Sequence, residues 1–296
     1  MKPLKESPLV SIVILTWNSE KFMDTCLESL SKQTYNNFEI IIVDNASTDN
    51  TLKRVKELEY KPEPRIIANE RNHGCAGGNN IGWKAGKGDI VVFLNPDTVV
   101  EKTWLEELVK AMKENPDAAI AGCKIYYPNS HIIQHAGGIL HPNGMTDHYG
   151  NGEEDTGKYD ELKDVDYVTG AAIAVRDEFM KEAGGLDEDY FPAYFEETDL
   201  CYRAHRKGYK VLYVPDSVLY HYESPGLTKF SPKFFATYYK MRFRFVVKNY
   251  TLKKFLCDFL PFEFAWMIKE PHARGHRLMQ LKAYWQGLRY LITGAK

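Results

Sequence analysis

The chain has 296 residues, 44% of them hydrophobic and 26% charged, with a formal net charge of −2 at pH 7. That is the composition of a globular protein able to bury a sizeable core, as one large domain or a domain with an appendage. Five scattered cysteines, Cys26, Cys75, Cys123, Cys201 and Cys257, form no C-x-x-C pair, which argues against a structural zinc site and a secreted disulfide scaffold.

In chain order, the β-branched run Val10 to Leu15 predicts a buried strand. A helix follows, capped by Asn18 or Ser19, with Phe22, Cys26, Leu27 and Leu30 on one face. Phe38 to Val43 predicts a second strand ending at Asp44, and Asp49 can cap a helix carrying Leu52, Val55 and Leu58. A short strand over Arg65 to Ala68 leads into the Gly-rich segment Gly74 to Gly86, with a helix starting near Gly77 or Gly78. The apolar run from Val91 breaks off at Asn95-Pro96-Asp97, before a helix over Glu101 to Glu114 and a strand over Ala118 to Lys124. Strands alternating with helices indicate an α/β fold with a parallel, doubly wound sheet.

Residues 127–165 are rich in Gly, His, Asn and Asp and read as loops and irregular strands over the sheet edge. Tyr167 to Val175 predicts a strand, Asp177 to Ala183 a short helix, and Glu197 to Lys207 a helix stopped by Gly208. Val211 to Val214 and Val218 to His221 predict two final strands; beyond Pro225 the texture is helical, basic and aromatic. These changes of texture divide the chain into residues 1–227 and 228–296. No apolar run approaches a membrane span, and Val10 to Leu15 is too short for a signal-peptide core, so a soluble, cytoplasmic setting is expected.

Open α/β sheets place their ligands at the carboxyl ends of strands. Asp44 and Asp97 both sit at such ends and point into one crevice. One can pair with a nucleobase ring N–H and the other with a divalent cation on diphosphate oxygens. A turn or a helix cap accounts for either acid equally well. The glycines of Asn72 to Asn80 let main-chain N–H groups approach a ligand near a helix N-terminus, or simply allow tight packing. The segment is neither a dinucleotide fingerprint nor a P-loop. Glu196, Glu197 and Asp199 crowd a helix start, where acids suit the helix dipole. Read functionally, one of Glu196 and Glu197 is a general base, its pKa raised by a neighbouring carboxylate or an apolar wall. His221 closes the last strand and can ligate Mn²⁺ as neutral imidazole, bind phosphate when protonated, or simply be hydrogen-bonded.

In this order, the segments 10–18, 43–49, 72–80, 95–97, 169–172, 195–203 and 220–221 resemble the family 2 inverting glycosyltransferases of the GT-A fold. The nearest likeness is to their rhamnosyltransferase-like branch, and it spans about residues 8–225. The resemblance implies a GT-A type, mostly parallel sheet, a UDP- or dTDP-sugar donor, Mg²⁺ or Mn²⁺, and a glycan or lipid-linked acceptor in polysaccharide synthesis. Carried over by position, Thr16, Asn18 and Asp44 would hold the nucleobase and ribose, and Asn72, Gly74, Gly78 and Asn79 would line the nucleotide-sugar. Asp97 would bind the metal beside Asn95, with His221 completing that side, and Gly170 and Tyr194 would face the acceptor. Glu197 would be the general base. The chain departs from the family in having Asn95 for the first Asp of the D-x-D motif and Glu197 for the catalytic Asp, which keeps Glu196 in play.

Two rival readings are a sugar-nucleotide pyrophosphorylase and a non-catalytic nucleotide-sugar-binding module. The first would want a Gly-rich, basic loop where this chain has Thr16-Trp17-Asn18-Ser19. Residues 228–296 carry 14 Lys and Arg against 3 Asp and Glu, interleaved with aromatics. Such a region can pack on the catalytic domain or lie at the inner face of an anionic membrane. Nucleic acid is not expected as a partner.

Overall fold

The structure, a computed structural model, describes residues 1–57, 60–223, 231–269 and 279–285. It divides into two compact units, Met1–Ile139 with His148–Pro192 and Glu196–Glu223, and Leu140–Asp147 with Ala193–Phe195 and Ser224–Lys296.

The first unit opens with β1 (Val10–Thr16), α1 (Met23–Ser31), β2 (Phe38–Asp44), α2 (Thr51–Glu57), β3 (Arg65–Ala68), α3 (Gly74–Ala85), β4 (Ile90–Leu94) and β5 (Thr98–Val100). Next come α4 (Trp104–Glu114), β6 (Ala118–Tyr126), β7 (Ile133–His135), β8 (Gly138–Leu140), β9 (Thr146–His148) and β10 (Lys163–Asp164). β11 (Ala172–Arg176), α5 (Asp177–Ala183), α6 (Glu196–Arg206) and β12 (Lys210–His221) complete it. Among the described residues the main sheet runs β10-β12-β6-β11-β4-β1-β2-β3, with β5 paired to β12 and β7 to β6. The ladders β3-β2-β1-β4 and β6-β12 are parallel, whereas β11 runs antiparallel to both β4 and β6.

Period-two alternation buries both faces of this sheet. Ile12, Ile14, Ile40, Ile42, Val92 and Leu94 join one core cluster, with Leu27 and Leu30 of α1 and Trp104 and Leu108 of α4. Val13, Ile41, Val43, Val91 and Phe93 point the other way, into a cluster with Phe179 of α5 and Leu200 and Ala204 of α6. α3 packs on this second face through its glycines. A methyl group at Gly78 would overlap Leu15, and one at Gly82 would overlap Val13, so the helix lies against β1 at a distance only glycine allows.

Several boundaries differ from the sequence reading, each because a backbone group finds another partner. α3 begins at Gly74, not near Gly77, since Asn72 Oδ1 accepts the Gly74 N–H at 2.8 Å and Gly74 turns the chain with φ +73. α1 begins at Met23 without a side-chain cap. Asn18 instead accepts the backbone N–H of Thr48 at 2.8 Å, and Ser19 donates its N–H to Thr51 Oγ1 at 2.7 Å. α4 starts at Trp104, three residues late, after a turn in which Trp104 N–H meets Glu101 O. The strand expected from Tyr167 starts at Ala172, because Tyr167 O accepts from Gly138 N–H and is drawn to the β8–β9 hairpin. The two last strands are one, β12, with a register shift between Val214 and Val218 around Pro215, which has no N–H to donate. Leu58, expected on α2, lies outside the described residues.

The second unit contains the tip of the β8–β9 hairpin, α7 (Pro232–Asn249), α8 (Leu252–Lys254), a π-helical turn (Phe255–Phe259), α9 (Leu260–Lys269) and helical residues 279–285. Ser231 caps α7 by accepting the Phe234 N–H, and Thr251 caps α8 by accepting the Lys254 N–H. At its centre Arg242 is wholly buried and makes two bonds, 2.9 and 2.8 Å, to the Glu263 carboxylate. Asn143 Nδ2 donates to the same carboxylate at 2.8 Å, and Arg242 donates to the Tyr284 hydroxyl at 2.8 Å. No helix among the described residues is long and apolar enough to cross a membrane.

Candidate active site

The parallel register brings the carboxyl ends of β2, β1 and β4 together: Thr16 stands opposite Asp44, and Ile14 opposite Leu94, the residue before Asn95. Asp44 is 3% exposed. Its Oδ1 accepts from Thr16 Oγ1 at 3.2 Å and its Oδ2 from the Ser47 N–H at 3.1 Å. A carboxylate offers about four lone-pair sites, so two bonds fix its orientation and leave capacity for a ring N–H. Asn45, next in the chain, knits the turn to the Gly-rich loop. Its amide donates to Asn72 Oδ1 at 3.0 Å and Gly74 O at 3.2 Å, and its carbonyl accepts from His73 N–H at 2.9 Å. Asn79 is half-buried one turn into α3, while the glycine at 78 answers to Leu15.

Asp97 and His221 are distant in sequence, and the antiparallel β5–β12 ladder joins them, placing Thr98 opposite His221. His221 Nε2 lies 3.3 Å from Asp97 Oδ1 and 3.4 Å from Asn95 Nδ2, with both Asp97 and His221 side chains largely buried. Gln134, on β7, fixes the ring. Its Oε1 accepts from His221 Nδ1 at 2.8 Å while its Nε2 donates to the His221 backbone carbonyl at 3.3 Å. The two bonds together define which end of the amide is oxygen, so Nδ1 carries the proton. That leaves Nε2 as the ring nitrogen that faces Asp97 and Asn95, free to offer its lone pair to a cation. Among the described residues no three His, Cys, Asp or Glu side chains cluster as a closed metal site. One carboxylate and one imidazole nevertheless fit an ion whose remaining ligands are phosphate oxygens and water.

α6 begins at Glu196, one residue earlier than its expected start. Glu197 is half-buried against Gly170, where a methyl group would lie 3.7 Å from Glu197 Cδ. Burial pushes the Glu197 pKa up, while hydrogen bonds from the backbone of Glu197, Thr198 and Gly170 pull it down. Burial first, then the charges of Glu196 and Glu197, push the Cys75 thiol well above its usual range. Cys75 is itself anchored, its N–H donating to Pro192 O at 2.8 Å. Tyr194 and Phe195, immediately before α6 in the chain, have φ +80 and +72, a left-handed pair that non-glycine residues rarely adopt. They belong to the second unit, where Tyr194 packs edge-on to Phe234 and Phe195 on Tyr238.

The structure thus gathers Asn95, Asp97 and His221 in one place, Thr16, Asn18, Asp44 and the Asn72–Gly74 loop in a second, and Gly170 with Glu197 in a third. Sequence reasoning did not single out Gln134, Cys75 or Asn45. Asn45 had a signal in its Asp-Asn-Ala-Ser turn, whereas Gln134 had only a polar residue following the apolar Ile132-Ile133.

Comparison with known proteins supplies the frame. "Glycosyl transferase family 2" matches residues 11–183, more than half of the chain. The chain is 33% identical over 233 residues to the uncharacterized protein y4gI of Sinorhizobium fredii, covering 75% of this chain and 25% of that protein. It is 29% identical over 232 residues to the O-antigen biosynthesis protein RfbC of Myxococcus xanthus, covering 75% and 18%. The chain therefore spans a quarter or less of these relatives' length. Among solved structures, GalNAc-T7 with UDP, GalNAc and Mn²⁺ matches with a TM-score of 0.66 at 18% identity, covering 92% of this chain and 58% of that one. The mostly parallel α/β sheet with C-terminal helices is the GT-A architecture. With its sheet ordered in this way and the match running over most of that sheet, the chain belongs to glycosyl transferase family 2.

Proposed function

We propose that the protein transfers a sugar from a UDP- or dTDP-sugar to a hydroxyl of a glycan or lipid-linked acceptor, inverting the anomeric centre, in surface polysaccharide synthesis. Rhamnose is the sugar that the motif resemblance names. The observation that carries the reading is the 3.3 Å approach of Asp97 Oδ1 and His221 Nε2 at the carboxyl edge of the sheet. That donor set suits Mg²⁺ or Mn²⁺ on a diphosphate, and the Mn²⁺ with UDP in GalNAc-T7 supports it. A bound ion would neutralise charge on the departing diphosphate.

The chain's own residues account for the rest. Asp44, steadied by Thr16 and the Ser47 N–H, accepts a ring N–H of the base. Glu197 takes the proton of the acceptor hydroxyl as that oxygen bonds to the anomeric carbon and the bond to the diphosphate breaks on the opposite face. Burial raises its basicity, against the opposing pull of nearby backbone N–H groups. Glu196, its neighbour at the start of α6, is the alternative base.

Thermal-shift measurements with UDP- and dTDP-sugars, with and without Mn²⁺, test this. A nucleotide sugar should raise the melting temperature only with the ion present, and Asp97→Asn and His221→Ala should each abolish the shift. Equal shifts with and without Mn²⁺ in all three proteins, or no shift with any nucleotide, would overturn the reading.

A further inference from the structure

We propose that the exposed face of residues 252–269 is a docking surface for an anionic phospholipid bilayer, the helix lying flat in the headgroup interface. This inference stands apart from the donor site. Leu252, Leu256, Leu260, Phe264 and Ile268 recur every fourth residue and are 74%, 51%, 43%, 70% and 49% exposed. A spacing of four drifts by about 40° per step in an α-helix, and the wider π-helical turn Phe255–Phe259 takes up part of that drift, so the five stay toward one side. Single exposed leucines are ordinary, but a continuous row of five large apolar side chains marks an interaction surface.

The exposure is built in. Phe259 and Glu263 face inward, 2% and 4% exposed, and Glu263 is held by Arg242 and Asn143. Rolling the helix to hide the leucines would strip Glu263 from its buried cation, and stranding such a charge is strongly destabilising. The outward face is therefore fixed by the ion pair beneath it.

Charge identifies the occupant. Beside the apolar row runs Lys253, Cys257, Pro261, Ala265 and Lys269, uncharged in the middle and basic at both ends, all exposed. Lysines so placed can lay their stems along the acyl boundary and their ammonium groups among anionic headgroups. Residues 279–285 repeat the chemistry, with Leu281 and Trp285 54% and 65% exposed and Lys282 between them. Arg242 also binds Tyr284 there, so one buried cation orders both basic-apolar helices. Residues 252–269 extend about 27 Å at a helical rise of about 1.5 Å per residue, and no described helix can cross a membrane, so the geometry is that of an in-plane helix.

The test is co-sedimentation of the full chain with vesicles of phosphatidylcholine alone and of phosphatidylcholine with phosphatidylglycerol, at low and high salt. Binding should need the anionic lipid and weaken with salt. Leu256→Glu/Phe264→Glu should reduce partitioning by about tenfold or more, with the melting temperature unchanged because both side chains are exposed. Should that pair disturb folding, Leu252→Gln alone, at the most exposed site, should still reduce partitioning. Lys253→Glu/Lys269→Glu should abolish the preference for the anionic vesicles. Failure of the wild type to bind, unchanged partitioning in the variants, or a dimer in sedimentation velocity that the same substitutions dissociate would overturn the proposal. The dimer would assign the face to a second copy.

Discussion

Gln134→Leu tests whether the imidazole is poised by its neighbour. The substitution keeps the side chain's bulk at a site 6% exposed but deletes both bonds to His221. Without an acceptor at Nδ1 the ring can place its proton on Nε2, the nitrogen that faces Asp97, or rotate away from it. Loss of such an outer hydrogen bond weakens metal binding by about 10- to 100-fold, which is about 1.4–2.7 kcal/mol. Mn²⁺ titration followed by electron paramagnetic resonance, with UDP present, reads this without needing the acceptor. We expect Gln134→Leu to fall in that range and His221→Ala to be at least as weak. The double variant should be no weaker than His221→Ala, because Gln134 acts only through the ring. Wild-type affinity in Gln134→Leu, or losses that simply add in the double variant, would refute the positioning role. Wild-type affinity in His221→Ala would instead refute the metal reading itself.

Three further outcomes are expected. Glu197→Gln should lower transfer by about 100- to 10,000-fold while leaving nucleotide-sugar binding intact in calorimetry. Because burial raises the Glu197 pKa, its contribution to stability is fully present below the unfolded value of about 4.3 and is lost as pH rises through the higher folded value. Glu197→Gln should thus melt higher than wild type at neutral pH and equally below about pH 4, and transfer by the wild type should fall as pH drops through that folded value. A Gln variant that melts lower at neutral pH would contradict the burial argument. Gly82→Ala should destabilise in urea titration: helix propensity favours Ala by about 1 kcal/mol, but the methyl overlaps the stiff, buried Val13, and overpacking of that kind costs about 1–3 kcal/mol. Arg242→Met should cost about 3–5 kcal/mol by stranding Glu263, and adding Glu263→Leu should recover most of it; no recovery would show that packing rather than the stranded charge sets the loss.

The central strands were readable because they are buried on both faces and so appear as nearly unbroken apolar runs, β2 stopping at an acid and β4 at an amide. Asp44 and Asp97 were visible for the same reason. Their company was not. What places His221 against Asp97 is a ladder between a three-residue strand and the last residues of β12, and no local pattern announces a pairing so distant in sequence. Gln134 is harder still, since its part is played by two hydrogen bonds from a short strand in a segment read as irregular. Glu196 and Glu197 could not be told apart from sequence, because their surroundings, Cys75 on α3 and Gly170, come from distant parts of the chain. The grouping of Leu140–Asp147 with the C-terminal helices was equally hidden, since it rests on Asn143 reaching Glu263 and Tyr238 reaching Thr146.

The β5–β12 ladder also sets an order of assembly. β1, β2 and β4, with Asp44 and Asp97 at their ends, leave the ribosome more than a hundred residues before β12 does. Asp97 and β5 therefore emerge well before His221, and the Asp97–His221 pair closes only when β12 lies beside both β6 and β5. Closing that pair is thus a late event of synthesis: the segment that carries Asp97 is complete more than a hundred residues before its imidazole partner exists.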